Sequence, residues 1–171
     1  FGLRTDVNDY AKYYVFNLIE ELDTPGEYYL DRANLKLYFY KSDGMTADKS
    51  LYISDGSYSF VNINNARFVT LDGLDFNMGR STGIFIVSNN VTVRNCNVRN
   101  LSENAMTVIG ENNLVENCRI LNTDGGVTIY SMWGSGPQTG FKHSNSVVKD
   151  CVIENFSRRN LVYTNGITLS G

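Results

Sequence analysis

Glu103 and Asp124 stand seven and six residues after Cys96 and Cys118, so a chain that repeats from one cysteine to the next sets the two carboxylates side by side. Two carboxyl groups about 5 to 10 Å apart suit glycoside hydrolysis, one as proton donor and the other as nucleophile or base. Arg80 occupies the equivalent place before them, and Arg158 with Arg159 the place after. Guanidinium groups there would tune the carboxyl pKa values or hold a uronate. The same positions also read as solvated turns, with Gly125 and Gly126 present because glycine suits a tight corner.

A second group lies in "SMWGSGPQTGFKHSNS" (131–146) and just before it. Tyr130, Trp133 and Phe141 offer ring faces on which a sugar stacks, while Lys142 and His143 would engage an acidic group. His143, the sole histidine, would also serve as a general base because its ordinary pKa is near neutrality. Against this, an isolated Trp anchors its own loop and a single His sits on a surface. A shorter excursion, "FSRRNLVYTN" (156–165), carries Arg158, Arg159 and Tyr163. Residues 141–171 hold four Lys/Arg and two Asp/Glu, a local net +2 on a chain of net charge −3, which suits anionic sugars.

These groups are placed by a repeat. The segments "FVTLDGLDFNM" (68–78), "VTVRNCNVRN" (91–100), "NLVENCRILN" (113–122) and "SVVKDCVIEN" (146–155) align so that Leu74, Cys96, Cys118 and Cys151 share one column, with spacings of 22, 22 and 33. Three residues earlier stand Leu71, Val93, Val115 and Val148, and two later Phe76, Val98, Ile120 and Ile153. A further strand follows each segment, with inward pairs Ile84/Ile86, Met106/Val108, Val127/Ile129 and Ile167/Leu169, and with Phe85, Thr107, Thr128 and Thr168 facing out. About 22 residues holding three short strands make one coil of a solenoid whose coils pair at about 4.8 Å. Strand crossovers of this sort are right-handed. The expected fold is therefore all-β, a right-handed parallel β-helix of about four to five coils over 51–171, its first coil (Leu51 to Ile63) the least regular.

Each column has its own chemistry. The cysteines stack reduced in the core as small apolar side chains, since an odd number does not close a disulfide framework and no metal ligands converge on them. No metal or other cofactor is expected. Asp72, Arg94, Glu116 and Lys149 alternate in sign, which fixes register, and Met78, Asn100, Asn122 and Asn155 form a turn column suited to an amide ladder. The step of 33 leaves about eleven residues over a plain coil, all in the 131–146 excursion, where solenoids carry binding residues.

Residues 1–50 differ in texture. "YYVFNLIEELDTPGEYYLDRANLKLYFY" reads as an extended aromatic run from Tyr13 to Phe16, a helical turn over Asn17 to Leu22, a Thr24-Pro25-Gly26 stop and a β-hairpin around Arg32-Ala33-Asn34 that packs on the solenoid. A longer helix from Tyr10 to Leu22 is the alternative.

The coils "NNVTVRNCNVRN" and "ENNLVENCRILNTDGGV" resemble those of the pectate-lyase-like right-handed β-helix superfamily. The stretch "EELDTPGEYYLDRANLKLYFY" is similar to a hairpin preceding the β-helix in bacterial glycoside hydrolases of the xylosidase and fucosidase type. That resemblance implies a carbohydrate partner, hydrolysis first and lyase-type elimination second, and a secreted or periplasmic location. A non-catalytic solenoid of a surface or adhesin-type protein is the competing reading. No motif matches a catalytic signature residue by residue. The pI near 5.1 offers no basic face for nucleic acid, no apolar run approaches a membrane span, and no signal-peptide layout opens the chain. A start at Phe1 and an end on "GITLSG" suggest a piece of a longer polypeptide, whose open strand edges would self-associate end to end.

Overall fold

The structure is a computed structural model that describes residues 16–45, 52–131, 144–159 and 164–170. The chain divides into two compact units, Phe1–Leu51 and Tyr52–Gly171.

In the first unit a 3-10 turn spans Ile19–Glu21, and an antiparallel hairpin joins β1 (Tyr28–Asp31) to β2 (Lys36–Phe39), with Asp31 opposite Lys36. The Asp31 carboxylate accepts from the Ala33 and Asn34 amides and from Asn34 Nδ2, a side-chain turn that closes the loop and holds its pKa below the usual carboxylate value, the Asn34 side chain contributing most. Asn17 brackets Leu30, donating Nδ2–H to its carbonyl and accepting its N–H. Of the longer helix proposed for Tyr10 to Leu22, the part from residue 16 on shows only the 3-10 turn. Residues 10–15 lie outside the described ones.

The second unit is a parallel β-solenoid of three sheets. The first sheet stacks β4 (Thr70–Asp72), β7 (Thr92–Arg94), β10 (Leu114–Glu116) and β13 (Val147–Lys149). The second stacks β5 (Asp75–Gly79), β8 (Asn97–Leu101), β11 (Arg119–Leu121) and β14 (Val152–Glu154). The third holds five strands, β3 (Val61–Asn64), β6 (Ile84–Val87), β9 (Asn104–Ile109), β12 (Gly125–Tyr130) and β15 (Ile167–Ser170). The register is the one the repeat demands. Leu71, Val93, Val115 and Val148 pair in series, as do Phe76, Val98, Ile120 and Ile153. The step of 33 residues keeps register as well as the steps of 22 do.

Inward side chains form one continuous core. Ile84, Val93, Val98, Met106, Val108, Ile120 and Val127 are fully buried, and Cys96 and Cys118 nearly so. All three cysteines are free. Exposure rises toward both ends of the stack: Leu74 is 42% exposed at the first coil and Leu169 73% at the last, against 3% for Ile129, which occupies Leu169's position one coil earlier. Thr107 and Thr128 occupy outward positions yet are buried, and both hydroxyls accept from Asn104 Nδ2.

The corners are made by left-handed residues, and asparagine is the side chain that tolerates them. One column runs Phe68, Asn90, Asn112, Asn145, a second Gly73, Asn95, Asn117, Asp150, and a third Met78, Asn100, Asn122, Asn155, every φ lying between +49° and +69°. In the third column Asn122 donates Nδ2–H to Asn100 Oδ1 (3.0 Å) and Asn155 donates to Asn122 Oδ1 (3.2 Å). The ladder begins on Asn77 rather than Met78, because only the neighbour has an amide oxygen for Asn100. A parallel ladder joins Asn117 to Asn95 and Asn95 to Asp72.

Candidate functional site

Glu103 and Asp124 fall at the corner leading into β9 and β12, in adjacent coils, with the Asp124 N–H donating to the Glu103 carbonyl at 3.1 Å. Their carboxylates diverge. Glu103 Oε2 reaches back one coil to accept from Ser81 Oγ (3.2 Å), Thr82 N–H (3.1 Å) and Thr82 Oγ1 (3.3 Å). Asp124 Oδ1 reaches forward and accepts the Arg159 N–H at 2.8 Å, with the residue 5% exposed. Each carboxylate thus ties its corner to a neighbouring coil. Beside them the Thr123 hydroxyl is fully buried with no partner among the described residues.

Two of the arginines expected to flank the pair bond main-chain carbonyls. Arg80 donates to the Asp55 carbonyl and Arg158 to the Asn122 carbonyl, while Arg159 meets Asp124 through its main chain. Gly125 and Gly126 do not form the corner; both lie inside β12. A Cβ at Gly125 would overlap Asn104 Oδ1 and one at Gly126 the Gly166 carbonyl oxygen, so these glycines admit neighbouring coils at close range.

Tyr130 ends β12 and is 36% exposed. It stands six residues beyond Asp124 along an extended strand, on the order of 20 Å away. The 131–146 excursion therefore leaves from the C-terminal end of a third-sheet strand and the 156–165 excursion precedes the N-terminal end of the next, where the sequence suggested that they share one end of the chain. Trp133, Phe141, Lys142, His143 and Tyr163 lie outside the described residues.

One open surface escaped the sequence reading. On the outer face of the second sheet, Asp75, Asn97, Arg99, Arg119 and Leu121 line a depression of about 300 Å³. Asn97 and Arg119 share one outward column with Asp75, and Arg99 and Leu121 share the next. Asp75 receives Arg99 at both oxygens (3.2 and 2.7 Å), and Arg119 reaches Glu154 at 3.1 Å. The hydrogen bonds it donates to Asp75 hold the Arg99 guanidinium above its usual pKa. The signal that would have found this surface is the opposite-sign pairing across neighbouring coils, the one read at Asp72, Arg94, Glu116 and Lys149. That charge column holds as pairs, with Arg94 on Asp72 and Lys149 on Glu116, each at 2.9 Å.

The sequence signature of the right-handed β-helix region matches residues 37–171, most of the chain and every strand of the solenoid. The chain belongs to the right-handed β-helix family. No curated protein and no solved structure matches it. As a β-helix the chain has its cysteine column where members of a coiled core need small side chains, and each thiol lies 3.2 or 3.3 Å from the carbonyl two residues before it. Cys151 is the exceptional one. The neighbouring Cys118 thiol lowers its pKa to about 6 against the opposing effect of burial, while Cys151 and burial push Cys118 well above the ordinary thiol range. Among the described residues no group of three or more His, Cys, Asp or Glu could hold a metal ion.

Proposed function

We propose that this β-helix is the carbohydrate-binding part of a glycan-degrading protein, and that the glycan lies across the outer face of the second sheet. The observation that carries the reading is the depression lined by Asp75, Asn97, Arg99, Arg119 and Leu121. Charge-paired donors and acceptors on neighbouring strands, with the Leu121 side chain among them, suit the vicinal hydroxyls of a sugar, and the depression matches the lower end of small-ligand sites. Hydrolysis is the second element, with Glu103 and Asp124 as its carboxylates. They stand at the corner into which β8 and β11 run, beside the proposed binding face.

A non-catalytic binding platform has its own support, because both carboxylates hold corners, Glu103 by accepting the Thr82 N–H and Asp124 by accepting the Arg159 N–H. Glycan-array binding by the wild type and by Arg119→Ala tests the face, and hydrolysis of aryl glycosides by Glu103→Gln and Asp124→Asn tests the chemistry. The hydrolase reading expects binding lost in the first variant and turnover lost in the other two. Binding without turnover in the wild type leaves the platform, and undiminished binding by Arg119→Ala removes the face.

A further inference from the structure

Taking the outer face of the second sheet as the glycan-binding surface proposed above, we infer that its ligand is an uncharged oligosaccharide, one sugar of which lies on Asn97 and Leu121 between two closed ion pairs. Two outward columns run along this face. Asp75, Asn97 and Arg119 are successive members of the first, and Arg99, Leu121 and Glu154 of the second, displaced by one strand. Taken in order they form three parallel diagonals. The two outer diagonals are ion pairs: Arg99 donates Nε–H and an Nη2–H to the two Asp75 oxygens, and Arg119 donates an Nη2–H to Glu154. The middle diagonal, Asn97 and Leu121, carries no charge.

Two guanidiniums face two carboxylates, so these six residues carry no net charge. The carboxylate of a uronate would have to break one of the pairs or lie beside Asp75 or Glu154, and like charges brought together oppose binding. Arg80, Arg158 and Arg159, the cations that suggested a uronate, do not line the depression. A neutral sugar meets no such conflict. Its hydroxyls both donate and accept, as the amide of asparagine does. Neighbouring corner asparagines spend their amides in ladders, Asn95 on Asp72, Asn100 on Asn77 and Asn117 on Asn95, whereas the exposed Asn97 amide has no partner among the described residues. Leu121, on the next strand, offers carbon surface to the C–H groups of the ring. Arg99 spends two N–H donors on Asp75 and Arg119 one on Glu154, which leaves others for sugar oxygens with both pairs intact.

Isothermal titration calorimetry of the purified chain with neutral xylo-, gluco- and manno-oligosaccharides, and with oligogalacturonate of matching length, tests this. At least one neutral series should bind, with an affinity unchanged between low and high salt because no net charge is compensated. Oligogalacturonate should bind roughly tenfold or more weakly. Asn97→Ala should lose roughly tenfold in affinity for the neutral ligand with melting unchanged. Asn97→Lys places a cation on the middle diagonal and should shift the preference toward oligogalacturonate. Oligogalacturonate bound by the wild type as tightly as the neutral ligand overturns the neutral class and leaves the face, whereas binding of no oligosaccharide overturns both. Undiminished neutral binding by Asn97→Ala, or an unshifted preference in Asn97→Lys, overturns the place of the sugar.

Discussion

Replacing Asn122 by alanine isolates the corner chemistry that sets this fold. Asn122 adopts φ +56° and stands between Asn100 and Asn155 in the amide ladder, at 3.0 and 3.2 Å. Alanine loses both bonds, which at an exposed corner contribute together about 1 kcal/mol. It must also adopt a left-handed conformation that disfavours its Cβ by about 1 kcal/mol. The expected loss is about 2 kcal/mol, or roughly 6–10 °C in melting temperature for a unit of this size. Glycine loses the bonds but takes positive φ freely, so Asn122→Gly should cost only about half as much. Urea unfolding of the wild type and both variants by circular dichroism measures the series. An alanine variant within about 0.5 kcal/mol of wild type, or a glycine variant less stable than the alanine one, would refute the assignment of the corner to left-handed geometry plus ladder bonds.

Other perturbations probe separate parts of the molecule. Phe68 holds φ +59° in a column otherwise of asparagine while 81% exposed, so Phe68→Asn should stabilise by about 1 kcal/mol in thermal unfolding; a destabilised variant would mean that the ring contributes packing not accounted for. Gly126→Ala drives a Cβ into the Gly166 carbonyl and should cost about 2–3 kcal/mol or more, with increased hydrogen exchange in β15; a silent substitution would rule out the close approach. Cys151 should be alkylated by iodoacetamide first among the three thiols, its rate rising with a midpoint near pH 6 because the thiolate is the reactive form above that value. Three thiols reacting together only above pH 8 would contradict the influence of Cys118 on Cys151.

The repeat was legible because each inward column must stay apolar in every coil, and a column is visible when Leu71, Val93, Val115 and Val148 recur at one offset. The asparagine column could be read for the same reason, since left-handed corners restrict residue choice more than surfaces do. The site was less legible. Glu103 and Asp124 were placed correctly at neighbouring corners, yet the direction of a side chain depends on which hydrogen-bond donors the adjoining coil presents, and Ser81, Thr82 and the Arg159 amide pull the two apart. Gly125 and Gly126 misled because a glycine that relieves crowding between coils looks, in sequence, like one that turns the chain. The depression on the second sheet went unread because it is built from residues that alternate with the core rather than from any motif.

The pairing of β10 with β13 shows that the excursion between β12 and β13 changes nothing in the ladder: Val115 faces Val148 as directly as Val93 faces Val115. Coils in this chain are counted by corners, and residues spent outside a corner are invisible to the next coil. An insertion there alters surface chemistry without asking the strands to adapt, whereas Asn145 and Ser146 at its end remain bound to the corner and to the preceding coil. The same independence makes that site the natural place to graft a foreign binding loop, whereas a single residue inserted within a strand would shift every inward side chain after it to the wrong face.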